Sequence, residues 1–124
     1  SDGPMTVFGV GSPHPRTYGT FARVLGSYVR DRNILSLEEA VRKMTSLPAQ
    51  ILSIDNRGLI QEGYYADITI FDASTVTDKA TFEDPHQYAE GIYSVLVNGV
   101  IVVENGAHNG SKPGRVLRGP GYKY

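Results

Sequence analysis

Residues 91–103 read Gly91-Ile92-Tyr93-Ser94-Val95-Leu96-Val97-Asn98-Gly99-Val100-Ile101-Val102-Val103. Two runs rich in β-branched and other apolar residues, 92–97 and 100–103, flank Asn98-Gly99, a pair that tolerates the positive φ of a type I′ turn. The stretch predicts a two-stranded hairpin. Downstream, Asn105-Gly106 reads as the end of that hairpin, 114–117 as a short edge strand and 119–124 as a frayed tail rich in glycine. Upstream, 73–91 is polar and reads as a long connection. Before it, Ile68 and Ile70 alternate with Asp67, Thr69 and Phe71 in a strand over 66–72, preceded by a turn at Glu62-Gly63 and a shorter strand over 58–61. The second half of the chain is therefore β.

Before Asp55-Asn56-Arg57-Gly58 the apolar period is helical. Phe21, Val24, Leu25, Tyr28 and Val29 recur at i, i+3, i+4, i+7 and i+8, with Arg23, Ser27 and Arg30 off the stripe and Asn33 as the stop. Ser36-Leu37-Glu38-Glu39 fits a capping box, in which the Ser36 hydroxyl accepts from the Glu39 amide and the Glu39 carboxylate accepts from the Ser36 amide. Leu37, Ala40, Val41 and Met44 continue the stripe, and Pro48 marks a break at the first turn of a short helix through Leu52. Residues 1–19, punctuated by Gly3, Pro4, Gly9, Gly11, Pro13 and Pro15, read as an open loop. The fold class is α+β: two amphipathic helices followed by a small antiparallel β domain.

Composition limits what such a chain does. Its 124 residues carry 12 Lys+Arg against 13 Asp+Glu, a net charge of −1, so it lacks the basic footprint of a nucleic-acid or anionic-membrane binder. No apolar run approaches the ~20 residues that cross a bilayer, and the start has neither the basic region nor the apolar region of a signal peptide. The absence of cysteine removes disulfides, thiolate metal sites and a cysteine nucleophile together, and fits a cytoplasmic chain. His14, His86 and His108 have neither HxH nor HExxH spacing and do not make a zinc site by themselves.

Taken singly, the polar residues have bland readings. Asp2 reads as a solvated carboxylate near a chain end, and His14 as a structural or exposed loop histidine. Arg16 follows two prolines that stiffen its loop; it reads equally as a surface ion pair or as a guanidinium gripping a substrate carboxylate with two prongs. Tyr18, Tyr64 and Tyr65 read as packed rings with hydroxyls at the surface, and Asp67 and Asp72 as turn or strand-end residues. His86, in Pro85-His86-Gln87-Tyr88, reads as a histidine serving backbone groups of the long connection. The basic turn Lys112-Pro113-Gly114-Arg115 is too short for a nucleic-acid patch.

Together, these pieces form an ordered set. Ser1-Asp2-Gly3, His14-Pro15-Arg16-Thr17-Tyr18-Gly19-Thr20-Phe21, Arg23-Val24-Leu25-Gly26, Leu37-Glu38-Glu39-Ala40-Val41-Arg42-Lys43-Met44-Thr45, the stretch 58–72 and Tyr88-Ala89-Glu90-Gly91-Ile92 resemble the C-terminal part of D-aminoacylases. These are N-acyl-D-amino-acid deacylases of the metal-dependent amidohydrolase superfamily, and the resemblance runs from Ser1 to about Arg118. It implies that residues 1–52 are the end of a catalytic (β/α)8 barrel and 53–124 the C-terminal share of a β-sandwich with its tail. It implies Asp2 as general base and Arg16 as the group that binds the substrate α-carboxylate. It also implies zinc in the complete enzyme, bound by upstream residues and not by this chain alone. The implied partners are an N-acyl-D-amino acid and either the missing barrel or further copies of the chain, with no nucleic acid and no membrane. The alternative is a non-catalytic α+β interaction or oligomerisation module.

Overall fold

The computed structural model describes residues 2–122; Ser1 and the last two residues of the expected tail, Lys123 and Tyr124, lie outside the described residues. In order, the elements are α1 (Arg16–Arg23), a π-helix (Val24–Asp31), α2 (Leu37–Met44), α3 (Ser46–Ile51), β1 (Ile68–Phe71), β2 (Ile92–Val97), β3 (Val100–Glu104) and β4 (Ala107–His108). Contacts divide the chain into two compact units, residues 1–37 with 71–92 and residues 38–70 with 93–124.

In the first unit the helix starts at Arg16, earlier than Thr20, because Pro15 already sits in the right-handed helical region at φ −50°. It ends at Asn33 as expected. Asn33 takes the left-handed φ of 49°, and the Ile34 amide donates back across it to the Tyr28 carbonyl at 2.8 Å, closing the wide final turn. The buried face differs from the expected stripe. Gly19, Ala22, Leu25 and Gly26 are buried while Phe21 is 53% exposed. Residues 76–78 press on this face. A Cβ on Gly19 would lie 2.6 Å from the Asp78 Cβ, and one on Gly26 2.5 Å from the Val76 carbonyl oxygen. Close approach selects small residues, which carry little weight in a hydrophobic periodicity.

Residues 73–91 are more than a polar connection. Val76 is fully buried and Ala80 nearly so, and with Ala22 and Leu25 they make the apolar core of this unit. Asp72 starts the segment with a tight turn, its Oδ1 accepting from the Ser74 amide at 2.8 Å and the Ser74 hydroxyl at 2.6 Å. Thr77 and Glu90 then exchange both backbone hydrogen bonds, at 3.0 and 3.2 Å. Gly91, at φ +79°, lets the returning chain lie on Val76, whose Cα would be 2.5 Å from any Cβ placed there.

In the second unit, α3 buries Ser46 and Ala49, and Gly58 at φ +82° lies against them, with a Cβ position 2.9 Å from that of Ala49. This turned backbone explains why the expected strand over 58–61 is not formed. Leu59 and Ile60 are 49% and 90% exposed. The sheet has the order β1-β2-β3-β4. The β2–β3 hairpin forms as expected, with Asn98 and Gly99 at φ 50° and 80°. Its register runs Val97↔Val100, Leu96↔Ile101, then Val95↔Val103. The extra residue of this bulge, Val102, is the buried side chain of β3, at 7% exposure. Asn105-Gly106, expected to end the hairpin, instead turns the chain again at φ 50° and 78°, and β4 pairs with β3 through Glu104↔Ala107 and Val103↔His108. The expected edge strand over 114–117 is not formed; that segment is held from its N-terminal side, where the Asn98 Nδ2 donates to the Pro113 carbonyl at 2.7 Å.

A half-buried guanidinium fastens the β2–β3 turn. Arg57 reaches the Asp67 carboxylate and, at 2.5 Å, the Asn98 Oδ1, while Asp67 Oδ1 accepts from the Asn98 amide at 2.8 Å. The guanidinium carbon lies 4.3 Å from the Tyr65 ring centre, a cation–π contact.

Candidate functional site

The first unit brings Asp2 and Arg16 together. Pro15 is buried and leads directly into α1, so Arg16 occupies the first helical position. Three bonds hold it there: the Arg16 amide donates to His14 Nδ1 at 3.1 Å, the Thr17 amide to the His14 carbonyl at 2.9 Å, and the Thr20 hydroxyl to the Arg16 carbonyl at 2.7 Å. The His14 ring packs edge-on against Phe82 at 4.9 Å between centres. Gly3 lies on the start of the same helix, where a Cβ would be 3.0 Å from the Thr17 Cα. The Asp2 Oδ2 lies 4.0 Å from the Arg16 Nη2. Both groups are open to solvent, the carboxylate fully and the guanidinium at 46%, so the pair adds little to stability and either charge is available to a ligand.

Beside Arg16 runs a cleft of about 550 Å³, lined among others by His14, Thr20, Arg23, Asp78 and Phe82. Arg23 is neutralised by Asp78 at 3.0 Å, which leaves Arg16 as the more loosely paired cation of the two.

The loop over residues 4–13, between Asp2 and Arg16, is seated from a distant segment. His86 Nδ1 accepts from the Gly9 amide at 3.1 Å and from the Tyr18 hydroxyl at 2.9 Å, and its Nε2–H donates to the Gly11 carbonyl at 2.9 Å. This network assigns the neutral tautomer with the proton on Nε2. Phe8 stacks on Tyr88 at 4.9 Å and meets Tyr18 edge-on at 6.0 Å. His86 thus does serve loop backbone, but the backbone of another loop. Tyr18, expected with its hydroxyl at the surface, is instead part-buried and bonded to His86. Nothing local in the sequence marks Phe8, His86 and Tyr88 as neighbours; the contacts of this cluster span 68 to 80 residues.

Among the described residues no group of three or more His, Asp or Glu is arranged to hold a metal ion. The donors present among these residues do not make up a metal centre by themselves. Among the described residues, no helix is long and apolar enough to cross a membrane.

A family model described as "Amidohydrolase family" matches residues 1–103. The D-aminoacylase of Alcaligenes xylosoxydans xylosoxydans is 52% identical over 105 residues, 85% of this chain and 22% of that protein. A solved structure of a D-aminoacylase mutant in complex with copper chloride superposes with a TM-score of 0.84 at 53% identity, over 86% of this chain and 22% of that one. N-acyl-D-glutamate deacylase from Bordetella bronchiseptica, solved with zinc and a phosphonate mimic of the tetrahedral intermediate, gives 0.73 at 48% identity, over 73% of this chain and 19% of that one. The chain spans about a fifth of the length of these relatives. A match over most of its residues settles the family: the chain belongs to the amidohydrolases.

Proposed function

We propose that the chain is the C-terminal part of a metal-dependent amidohydrolase that hydrolyses the amide of N-acyl-D-amino acids to a D-amino acid and a carboxylate. The observation that carries this reading is the 4.0 Å approach of an exposed carboxylate, Asp2, to a loosely paired guanidinium, Arg16, held on a stiff helix start. The two groups answer the two demands of the substrate. Arg16 receives the α-carboxylate through charge-assisted bonds, replacing its contact with Asp2. Asp2 takes a proton from the attacking water as the C–O bond forms, and returns it to the nitrogen as the C–N bond breaks. Zinc belongs, in this reading, to donors outside this chain.

Residues 1–52 supply the end of the barrel and 53–124 the C-terminal share of a β-sandwich. Large apolar side chains left open in both segments support this, Phe21 at 53% exposure in the first and Ile60, Phe82 and Val116 at 90%, 70% and 84% in the second. A cytoplasmic location fits the cysteine-free composition. An interaction module without chemistry is not favoured, because the relatives matched over more than 80% of the chain include a D-aminoacylase.

The test is hydrolysis of N-acetyl-D-amino acids by the complete protein, with the L-enantiomers and the α-carboxamides as controls. Arg16→Ala is expected to raise KM for the free acid ~100-fold, equivalent to about 2.7 kcal/mol for a charge-assisted pair, with little effect on the carboxamide. Equal losses on both substrates would remove Arg16 from carboxylate recognition.

A further inference from the structure

We infer that His86 is a positioning residue for the Asp2–Arg16 pair, a role that rests on the function proposed above. The loop that separates the two groups contains Gly9 and Gly11, both at positive φ with nothing within 4 Å of a Cβ position, so its own packing does little to fix it. Met5, Val7 and Val10 on the same loop are 101%, 70% and 63% exposed. What fixes it is one imidazole that uses both ring nitrogens: Nδ1 takes the Gly9 amide at 3.1 Å and Nε2 gives its proton to the Gly11 carbonyl at 2.9 Å. The same Nδ1 receives the Tyr18 hydroxyl at 2.9 Å, two residues beyond Arg16 on α1. The ring therefore ties the loop to the helix that carries the guanidinium, and Phe8 between Tyr18 and Tyr88 closes the seat. The Thr6 hydroxyl also meets the Tyr18 hydroxyl, at a longer 3.4 Å, but among the described residues His86 is the side chain bonded both to the loop backbone and to α1. Losing it frees the chain that connects the base to the carboxylate anchor, so that their separation is no longer held.

Two variants of the complete protein test this, His86→Ala and His86→Gln, the second keeping one acceptor and one donor on a single planar group. The first readout is hydrogen exchange in the peptide covering residues 5–12, which is independent of any activity. His86→Ala is expected to speed exchange at Gly9 at least tenfold, and His86→Gln to stay within about threefold of the parent. The second readout is the ratio of kcat/KM for an N-acetyl-D-amino acid to that for its α-carboxamide. His86→Ala is expected to lower this ratio at least tenfold with recovery in His86→Gln, whereas a general loss of folded protein lowers both values and leaves the ratio alone. If His86→Ala fails to fold, Phe8→Ala, which unseats the same loop from a side chain 51% exposed, is expected to give both effects. Unchanged exchange at Gly9, or an unchanged ratio beside faster exchange, overturns the inference. A parent protein that shows no preference for the free carboxylate overturns the function reading first, and the positioning role falls with it.

Discussion

Gly26, Gly91 and Gly99 allow one steric argument to be tested against its own controls. Gly99 sits at φ +80° with nothing within 4 Å of a Cβ, so Gly99→Ala meets only the backbone cost of a left-handed residue, about 1 kcal/mol. Gly26 has no positive φ, but its Cβ would lie 2.5 Å from the Val76 carbonyl oxygen and 3.4 Å from the Thr77 Cα. Forcing those backbones apart costs about 2–3 kcal/mol, as overpacking does elsewhere. Gly91 combines both: φ +79°, and a Cβ 2.5 Å from the Val76 Cα and 2.6 Å from its nitrogen. Gly91→Ala is expected to cost about 3–4 kcal/mol, a large share of the ~5–15 kcal/mol that stabilises a folded domain. Urea unfolding followed by far-UV circular dichroism measures all three. Gly26 and Gly91 press on the same residue, so the double variant should fall short of additivity. If Gly91→Ala loses no more than Gly99→Ala, within about 0.5 kcal/mol, then the seat around Val76 is not close-packed and the account of the first unit's core is wrong.

Other outcomes follow from single contacts. Hydrogen bonding from Arg42, at 2.7 and 2.9 Å, holds the Glu39 carboxyl at about 2, well below its ordinary 4.5. The stabilisation from this pair is therefore complete above pH 4.5 and is lost as the pH falls toward 2; a carboxyl-carbon NMR titration of Glu39 with its midpoint near 4.5 would contradict it. Asn98→Ala removes the acceptor for Arg57, the donor to Pro113 and a residue suited to φ 50°, and is expected to cost about 1–3 kcal/mol in urea unfolding, more than Gly99→Ala. The 124-residue chain alone is expected to show no deacylase activity and no stoichiometric zinc; both together in a homogeneous 13.5 kDa sample would defeat the division of labour proposed above.

Local chemistry explains which parts of the fold were readable. Asn98-Gly99 and Asn33 are positions where the backbone itself demands an unusual φ, so the residue type and the geometry coincide. The helices were readable as helices, but their buried face was not. Gly19 and Gly26 lie against residues 76–78 because they are small, and smallness is invisible to a count of apolar residues. Asn105-Gly106 carries the same signal as Asn98-Gly99, yet the two-residue strand after it is too short to show a period. Residues 73–91 look like a connection because their buried apolar side chains, Val76, Ala80 and Pro85, are few and follow no strand or helix period. At the candidate site, Asp2 and Arg16 came from an ordered resemblance, whereas the support from Phe8, His86 and Tyr88 depends on contacts across most of the chain and has no local mark.

The hydrogen bonds from His86 to Gly9 and Gly11 close 77 and 75 residues of chain. Contacts of such long range form late, because the entropy of closing the intervening segment must be met before they contribute. During synthesis from the N-terminus, the loop beside Asp2 and Arg16 is exposed, glycine-rich and unanchored until residue 86 has left the ribosome and found it. The order of events is thus written into the fold: the helix that carries the guanidinium can form from its own neighbours, while the spacing between guanidinium and carboxylate is set at the end. Premature stops or misfolding between α1 and Pro85 should yield chains with a normal helix start and an unformed site, which makes the site loop a sensitive reporter of complete folding.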